Sequence, residues 1–188
     1  MKNLLITLLC AAAFACVAQP AAGQDKCKKQ SLRDGRFSVC AGAFWVRDNQ
    51  VIDDILAIAF RDEAKGGGAS IRIREITSTN SAQQMAKELE LGIKRRIDQE
   101  QPPTGSISVT DFETAAGRSG KRIAYQIKRE PNAAGGEKQI TYFMNNPGGR
   151  VIQINVMIGY QSADGEKYVD DLIDPIVRTL KVNPPLPR

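Results

Sequence analysis

An α+β fold containing an antiparallel sheet follows from three observations. Between Gly120 and Ile158, three apolar-alternating runs, GKRIAYQIKRE, EKQITYFM and RVIQINVMI, are separated by the strings PNAAGG and NNPGG. Ile123, Tyr125 and Ile127 alternate with Ala124, Gln126 and Lys128, and Val151 to Ile158 is rich in β-branched residues, so a period of two defines a meander. Pro131 with Gly135 and Gly136, then Pro147 with Gly148 and Gly149, supply its turns. The second observation is a change of period from Ser81 to Gln99, where Ala82, Met85, Leu89, Ile93 and Ile97 step by three and four along one helical face. The third is a similar pattern after Asp164, through Val169, Leu172, Ile173, Ile176, Val177 and Leu180.

The chain of 188 residues opens with Lys2 and an apolar run from Leu4 to Ala18, which reads as a secretory signal. The run falls short of the ~20 residues a membrane span needs, and no stop-transfer pattern follows. Cleavage after Gly23 is favoured because Ala21 and Gly23 are small, giving residues 1–23 as signal; a cut after Ala18 is the alternative. Lipidation at Cys16 is the rival reading, and Ala13, Phe14 and Ala15 lack the leucine and small middle residue of a bacterial lipoprotein box. Export places the protein in the periplasm or outside the cell, where Cys27 and Cys40 are expected to form a structural disulfide tethering residues 24–34. Without a C-x-x-C motif, a redox pair is the weaker reading.

Residues 35–182 read as one domain. Phe37 to Cys40 is a strand that Phe44 to Val46 would continue past Gly42; Ile55 to Phe60 and Ser70 to Ile76 are further strands, joined by a glycine-rich turn at 64–69. Asn80 or Ser81 caps the first helix, and Pro102 and Pro103 close its end. Ile107 to Phe112 alternates as a strand into the meander. Asp164 is the expected cap of the final helix, and Asp174-Pro175 predicts a kink or two short helices. The tail 183–188, with three prolines, cannot extend it.

Chemistry is poorly represented. The chain has no histidine, which removes the commonest general base and metal ligand, and no cofactor or metal site is expected. The string GRSGKR, Gly117 to Arg122, fails as a nucleotide loop because two residues separate its glycines and Arg122 stands where a serine or threonine should bind magnesium. The acidic pairs Asp53-Asp54 and Asp170-Asp171 lack calcium-loop spacing. A hydrolase would need a lysine dyad, with Lys121 or Lys128 as base, and no G-x-S-x-G elbow marks a serine for it. No catalytic residue is therefore assigned.

A net charge of +5 favours anionic surfaces without the concentrated basicity of a nucleic-acid binder. If Arg72 and Arg74 share a sheet face with Arg122 and Lys128, the four would form an anion-binding stripe for a lipid head group or small molecule. The aromatics Trp45, Tyr125, Tyr142, Phe143 and Tyr160 could line a groove, although such residues in strands usually pack.

The strings RFSV, GKRIAYQIKR, KQITYFM and RVIQINVMIGY, with a last helix ending IVRTLKV, resemble the PsbP/Mog1/DUF1795-like superfamily over about residues 35–182. The superfamily's P-x-G-W string is replaced by Ala43-Phe44-Trp45. The resemblance implies an α-β-α sandwich around a twisted antiparallel sheet and kinship with photosystem accessory subunits, a nuclear import regulator, secretion chaperones and DcrB-like envelope proteins. It implies a mostly non-catalytic role and no shared functional residues. The expected function is an exported accessory module of the bacterial envelope that binds another envelope protein through a sheet face or edge strand. The alternative is an anionic lipid or membrane surface bound through the basic strand residues.

Overall fold

A computed structural model describes residues 27–32, 35–48, 54–99, 105–127 and 135–183. The signal, Cys16, the cleavage positions, Asp53, Lys128 and the tail after Asn183 lie outside the described residues. The main sheet contains β3 (Val46–Arg47), β4 (Leu56–Asp62), β5 (Gly67–Thr77), β6 (Ser106–Glu113), β7 (Ser119–Ile127), β8 (Gly136–Asn146) and β9 (Arg150–Tyr160). Their order is β3-β4-β5-β9-β8-β7-β6, antiparallel throughout. A smaller sheet pairs β1 (Lys28–Ser31) and β10 (Lys181–Val182) with opposite edges of β2 (Phe37–Ala41).

The helices α1 (Ala82–Gln99) and α2 (Ala163–Arg178) cover opposite faces of the main sheet, giving the α-β-α sandwich. In an antiparallel ladder, directly opposed residues point to the same face, so the register sorts every side chain. Ile73, Ile154, Tyr142 and Arg122 lie in one row facing α2; Gln153, Phe143 and Lys121 lie in the next, facing the α1 side. The α2 face holds the larger core, with Trp45, Leu56, Ile71, Ile73, Ile154, Val169 and Ile173 nearly inaccessible. Phe37, Val39 and Leu180 extend it into the small sheet.

The helix ends show why each begins where it does. Ser81 Oγ accepts from the Gln84 amide (3.2 Å) while Gln84 Oε1 accepts from the Ser81 amide (2.7 Å), a reciprocal capping box. Asn145 Oδ1 accepts from the Ala82 amide at 2.8 Å and ties that end to β8. In α2 the cap is Ser162, whose Oγ accepts from Gly165 N (3.1 Å), two residues before the expected Asp164; Asp164 lies in the first turn, where its charge favours the helix dipole.

Nor does Pro175 divide α2. Its ring is exposed, and the helix continues for one further turn because Ile176 and Val177 are buried beyond it. A proline inside a helix costs about 3 kcal/mol, and burying two aliphatic side chains offsets a cost of that size.

Two strand boundaries also differ from the sequence reading. The chain does not continue β2 through Phe44; it turns at Gly42, where Trp45 N donates to Gly42 O (3.0 Å), buries Trp45 against Phe60 (ring centroids 4.5 Å apart), and enters the main sheet as β3. Of the three glycines in the expected turn, only Gly66 lies outside β5, while Gly67 and Gly68 are paired within it. The GRSGKR string is a hairpin end: Gly117 has φ +76°, and a Cβ on Gly120 would come within 2.1 Å of Phe143 O, so close strand contact demands glycine there.

Cys27 and Cys40 are bridged, with Cα atoms 5.4 Å apart, joining the start of β1 to β2. Cys40 N also donates to Thr179 Oγ1 (2.7 Å), which fastens this corner to the end of α2.

Candidate functional site on the open half of the sheet

Helix α1 packs against β6, β7 and β8 and leaves the rest of its face uncovered among the described residues. Under it, Ala82, Ala86 and Ile93 meet Ile123, Phe143 and Val151, with Met85, Leu89, Ile97, Ile107 and Tyr125 around them. Beyond β8 the same face carries one row of Val46, Ala59, Ser70 and Met157 across β3, β4, β5 and β9. The neighbouring row holds Ala57, Arg72 and Asn155. The floor is small and the rim is not: Val46 is 67% and Met157 49% exposed, among the few large apolar side chains that remain accessible.

Charge of both signs borders this surface. Arg72 and Arg74 project from β5; Arg74 Nε donates to Gln153 Oε1 (2.8 Å), and Arg72 has no ion-pair partner among the described residues. At the other end the surface runs into a shallow cleft of about 720 Å³, lined by Gly67, Gly68, Gly136, Gly159 and Met157 and bordered by Glu63 and Glu137. Of these glycines only Gly159 leaves open space above the sheet; a Cβ on Gly67 or Gly136 would meet Val169 or Tyr160.

The expected anion stripe does not form as one surface. Arg72 and Arg74 face the α1 side, but Arg122 is displaced by an odd number of positions from their row and faces α2. There its Nε donates to Asp174 Oδ1 (3.1 Å), and its guanidinium lies 5.9 Å from the Tyr142 ring centroid. Tyr142 OH donates to the same Asp174 oxygen. Burial, reinforced by the Asp174 carboxylate, pushes the Tyr142 phenol far above its ordinary value against the opposing charge of Arg122. Burial alone would lower the Arg122 pKa; Tyr142 and Asp174 together outweigh it and hold the guanidinium charged. This cluster pins α2 to the sheet; Lys128 lies outside the described residues.

The other singled-out residues have structural partners. Lys121 pairs with Asp111 (2.6 Å) and Lys167 with Asp171 (2.6 Å). Lys138 bridges Glu166 (3.3 Å) and Asp170. Asp54 receives Arg36 at 2.7 Å. The aromatics do not share a groove: Trp45 and Tyr142 are buried on the α2 side, while Phe143 and Tyr125 pack under α1.

Sequence reading missed Val46, Ala59, Ser70 and Met157 because it could not say which strands are neighbours. The available signal was Ala57 and Ala59, two small side chains at alternate positions of an otherwise bulky strand. It also missed a second feature where the β5, β8 and β9 ends meet the connector before β2. There Arg36, Arg118, Arg150, Glu75, Asn146 and Asn183 surround a cleft of about 270 Å³.

No family model and no curated protein matches the chain. Solved structures do. The Saccharomyces cerevisiae Ran-binding protein Mog1p is 13% identical, with a TM-score of 0.55 covering 84% of this chain and 95% of Mog1p. LpqN, involved in cell envelope biogenesis of Mycobacterium tuberculosis, is 12% identical, with a TM-score of 0.52 covering 85% of this chain and 91% of LpqN. With its seven-stranded antiparallel sheet between two helices, the chain has a Mog1/PsbP-like fold.

Proposed function

We propose that this protein is an exported, non-catalytic interaction module of the bacterial envelope, DcrB-like in role, whose open half-sheet receives another envelope protein. The observation that carries the reading is the row Val46–Ala59–Ser70–Met157, uncovered among the described residues, apolar at its ends and small in its middle, beside a helix that stops short of it. A flat apolar surface with a polar rim is the form of a protein interface. The rim has Arg72 and Arg74 at one end and, at the other, Glu63 paired with Arg61 (3.4 Å), with Asp62 and Glu137 beside them. That mixed pattern suits a protein surface with groups of both signs better than a uniformly anionic bilayer. The cell-envelope role of LpqN and the Cys27–Cys40 bridge support export.

The test is site-specific photocrosslinking in cells that express the full chain. A photoreactive residue at Met157 or Val46 should yield one dominant protein adduct, and one at exposed Leu91, on α1 away from the sheet, should yield none. Adducts from Leu91 alone, or none from either sheet position, would sink the reading.

A further inference from the structure

A further cleft, of about 530 Å³, opens where the small sheet, the end of α2 and the hairpin joining β6 to β7 come together. That volume lies within the ~300–1,000 Å³ of ordinary ligand pockets. Its walls are fixed to one another: Ala115 N donates to Arg178 O (2.8 Å), and Cys40 N donates to Thr179 Oγ1 (2.7 Å). Ala115, Ala116 and the Cys27–Cys40 bridge give it an apolar lining.

The register of the small sheet decides which polar groups share this space. Lys29 stands opposite Cys40 and Lys181 opposite Ser38, so the two lysines, on strands either side of β2, share one face with Ser38 and Cys40. Phe37 and Val39 point the other way, into the core. The lysine strands are about 10 Å apart across the sheet, with Ser38 between them. Neither lysine has an ion-pair partner among the described residues, and no acidic side chain lines the cleft. Ser38 is only 3% exposed, and its hydroxyl has no hydrogen-bond partner among the described residues. Buried polar groups are ordinarily paired, so this hydroxyl marks the place of an acceptor. The end of α2 does not oppose a negative charge here: Ile176 O, Val177 O and Arg178 O already accept from the amides of Thr179, Leu180 and Ala115. Arg178 itself is engaged, donating to Glu113 O (2.9 Å) with its guanidinium 5.0 Å from the Phe112 ring centroid.

We propose that this cleft binds a small organic carboxylate carried on a short apolar body. The carboxylate oxygens accept from the Lys29 and Lys181 ammonium groups and from Ser38 Oγ, and the apolar body lies against Ala115, Ala116 and the disulfide. Ammonium groups are point charges on flexible stems, so two of them can converge on one carboxylate from opposite sides. The site is separate from the open half-sheet and uses none of the residues of the expected stripe.

The experiment titrates the full chain with octanoate by calorimetry, using acetate as the head alone and octyltrimethylammonium as the chain with the opposite charge. Octanoate should bind, and neither control should bind at the same concentration. Lys29→Gln and Lys181→Gln should each weaken octanoate binding about tenfold and Ser38→Ala about fivefold, while Arg72→Gln/Arg74→Gln should leave it unchanged. No octanoate binding by the wild type, or full binding retained in both lysine variants, would overturn the assignment. So would acetate or octyltrimethylammonium binding as tightly as octanoate, or equal losses in the Arg72/Arg74 variant. Circular dichroism checks each fold; should Ser38→Ala misfold, the two lysine variants decide without it, since both side chains are exposed. Photocrosslinking at Met157 is independent of this outcome.

Discussion

The two faces of the main sheet are made by the same seven strands, yet they are used differently. On the α2 face a single core runs from Leu56 through Ile73, Ile154 and Tyr142 to Phe112 and continues into the small sheet. On the α1 face, burial is concentrated beneath one helix, and beyond β8 the side chains become Ala59, Ser70, Met157 and arginine. The contrast follows from where each helix lies. A face with a helix and a second sheet above it can spend bulky aliphatic residues on burial, whereas a face without a cover must be small or polar to stay soluble. Stability therefore resides mainly on one side and available surface on the other.

The sharpest way to break that comparison uses one strand. Ile154 and Val151, both on β9 and nearly inaccessible, face α2 and α1 respectively. Ile154→Ala should cost about 4 kcal/mol and Val151→Ala about 2 kcal/mol, read as shifts in urea midpoint at constant slope. Equal losses would mean that the two cores share the load.

Next in size is the covalent link on the α2 side. Replacing both Cys27 and Cys40 by serine should lower stability by about 3 kcal/mol, the chain-entropy value for a loop of this length, with no comparable loss when wild-type protein is compared with itself at different oxidant levels after the bridge has formed. A loss under ~1 kcal/mol would show that pairing of β1 with β2 already fixes this corner without the bridge.

How much of this could be read from the chain differs between the fold and the sites. The meander and α1 were legible because Ile123 to Ile127 and Ala82 to Ile97 keep strict periods of two and of three to four. The strands β1 and β10 were not, because Lys28–Ser31 and Lys181–Val182 carry almost no apolar alternation and pair only through β2. The candidate sites were least legible. Arg72 and Arg74 could be assigned to one face of their strand, but placing Arg122 relative to them needed the registers of three successive strand pairs. The Glu75 cluster joins residues more than a hundred positions apart, and no local pattern announces it.

The smallest effect concerns the polar tie between α2 and the sheet. Tyr142→Phe removes the hydroxyl that donates to Asp174, leaving the carboxylate paired with Arg122 and partly open to water. Near neutral pH this should cost about 1.5 kcal/mol. The folded-state pKa of the phenol lies well above its ordinary value of 10.0, so above that pH the unfolded chain releases the proton while the folded chain keeps it. The stabilisation is therefore complete below about pH 10 and falls by about 1.4 kcal/mol per further pH unit. Because the phenylalanine variant has no such proton to keep, the gap between the two proteins should close by about pH 11. Tyr125, on the α1 face, is also raised by burial, against the opposing charge of Arg96, and is less enclosed. Tyr125→Phe should show a weaker convergence in the same urea titrations. If the Tyr142 gap instead stays constant from neutral to strongly alkaline pH, the fold does not hold that phenol neutral, and the α2 face loses its claim to be the drier side.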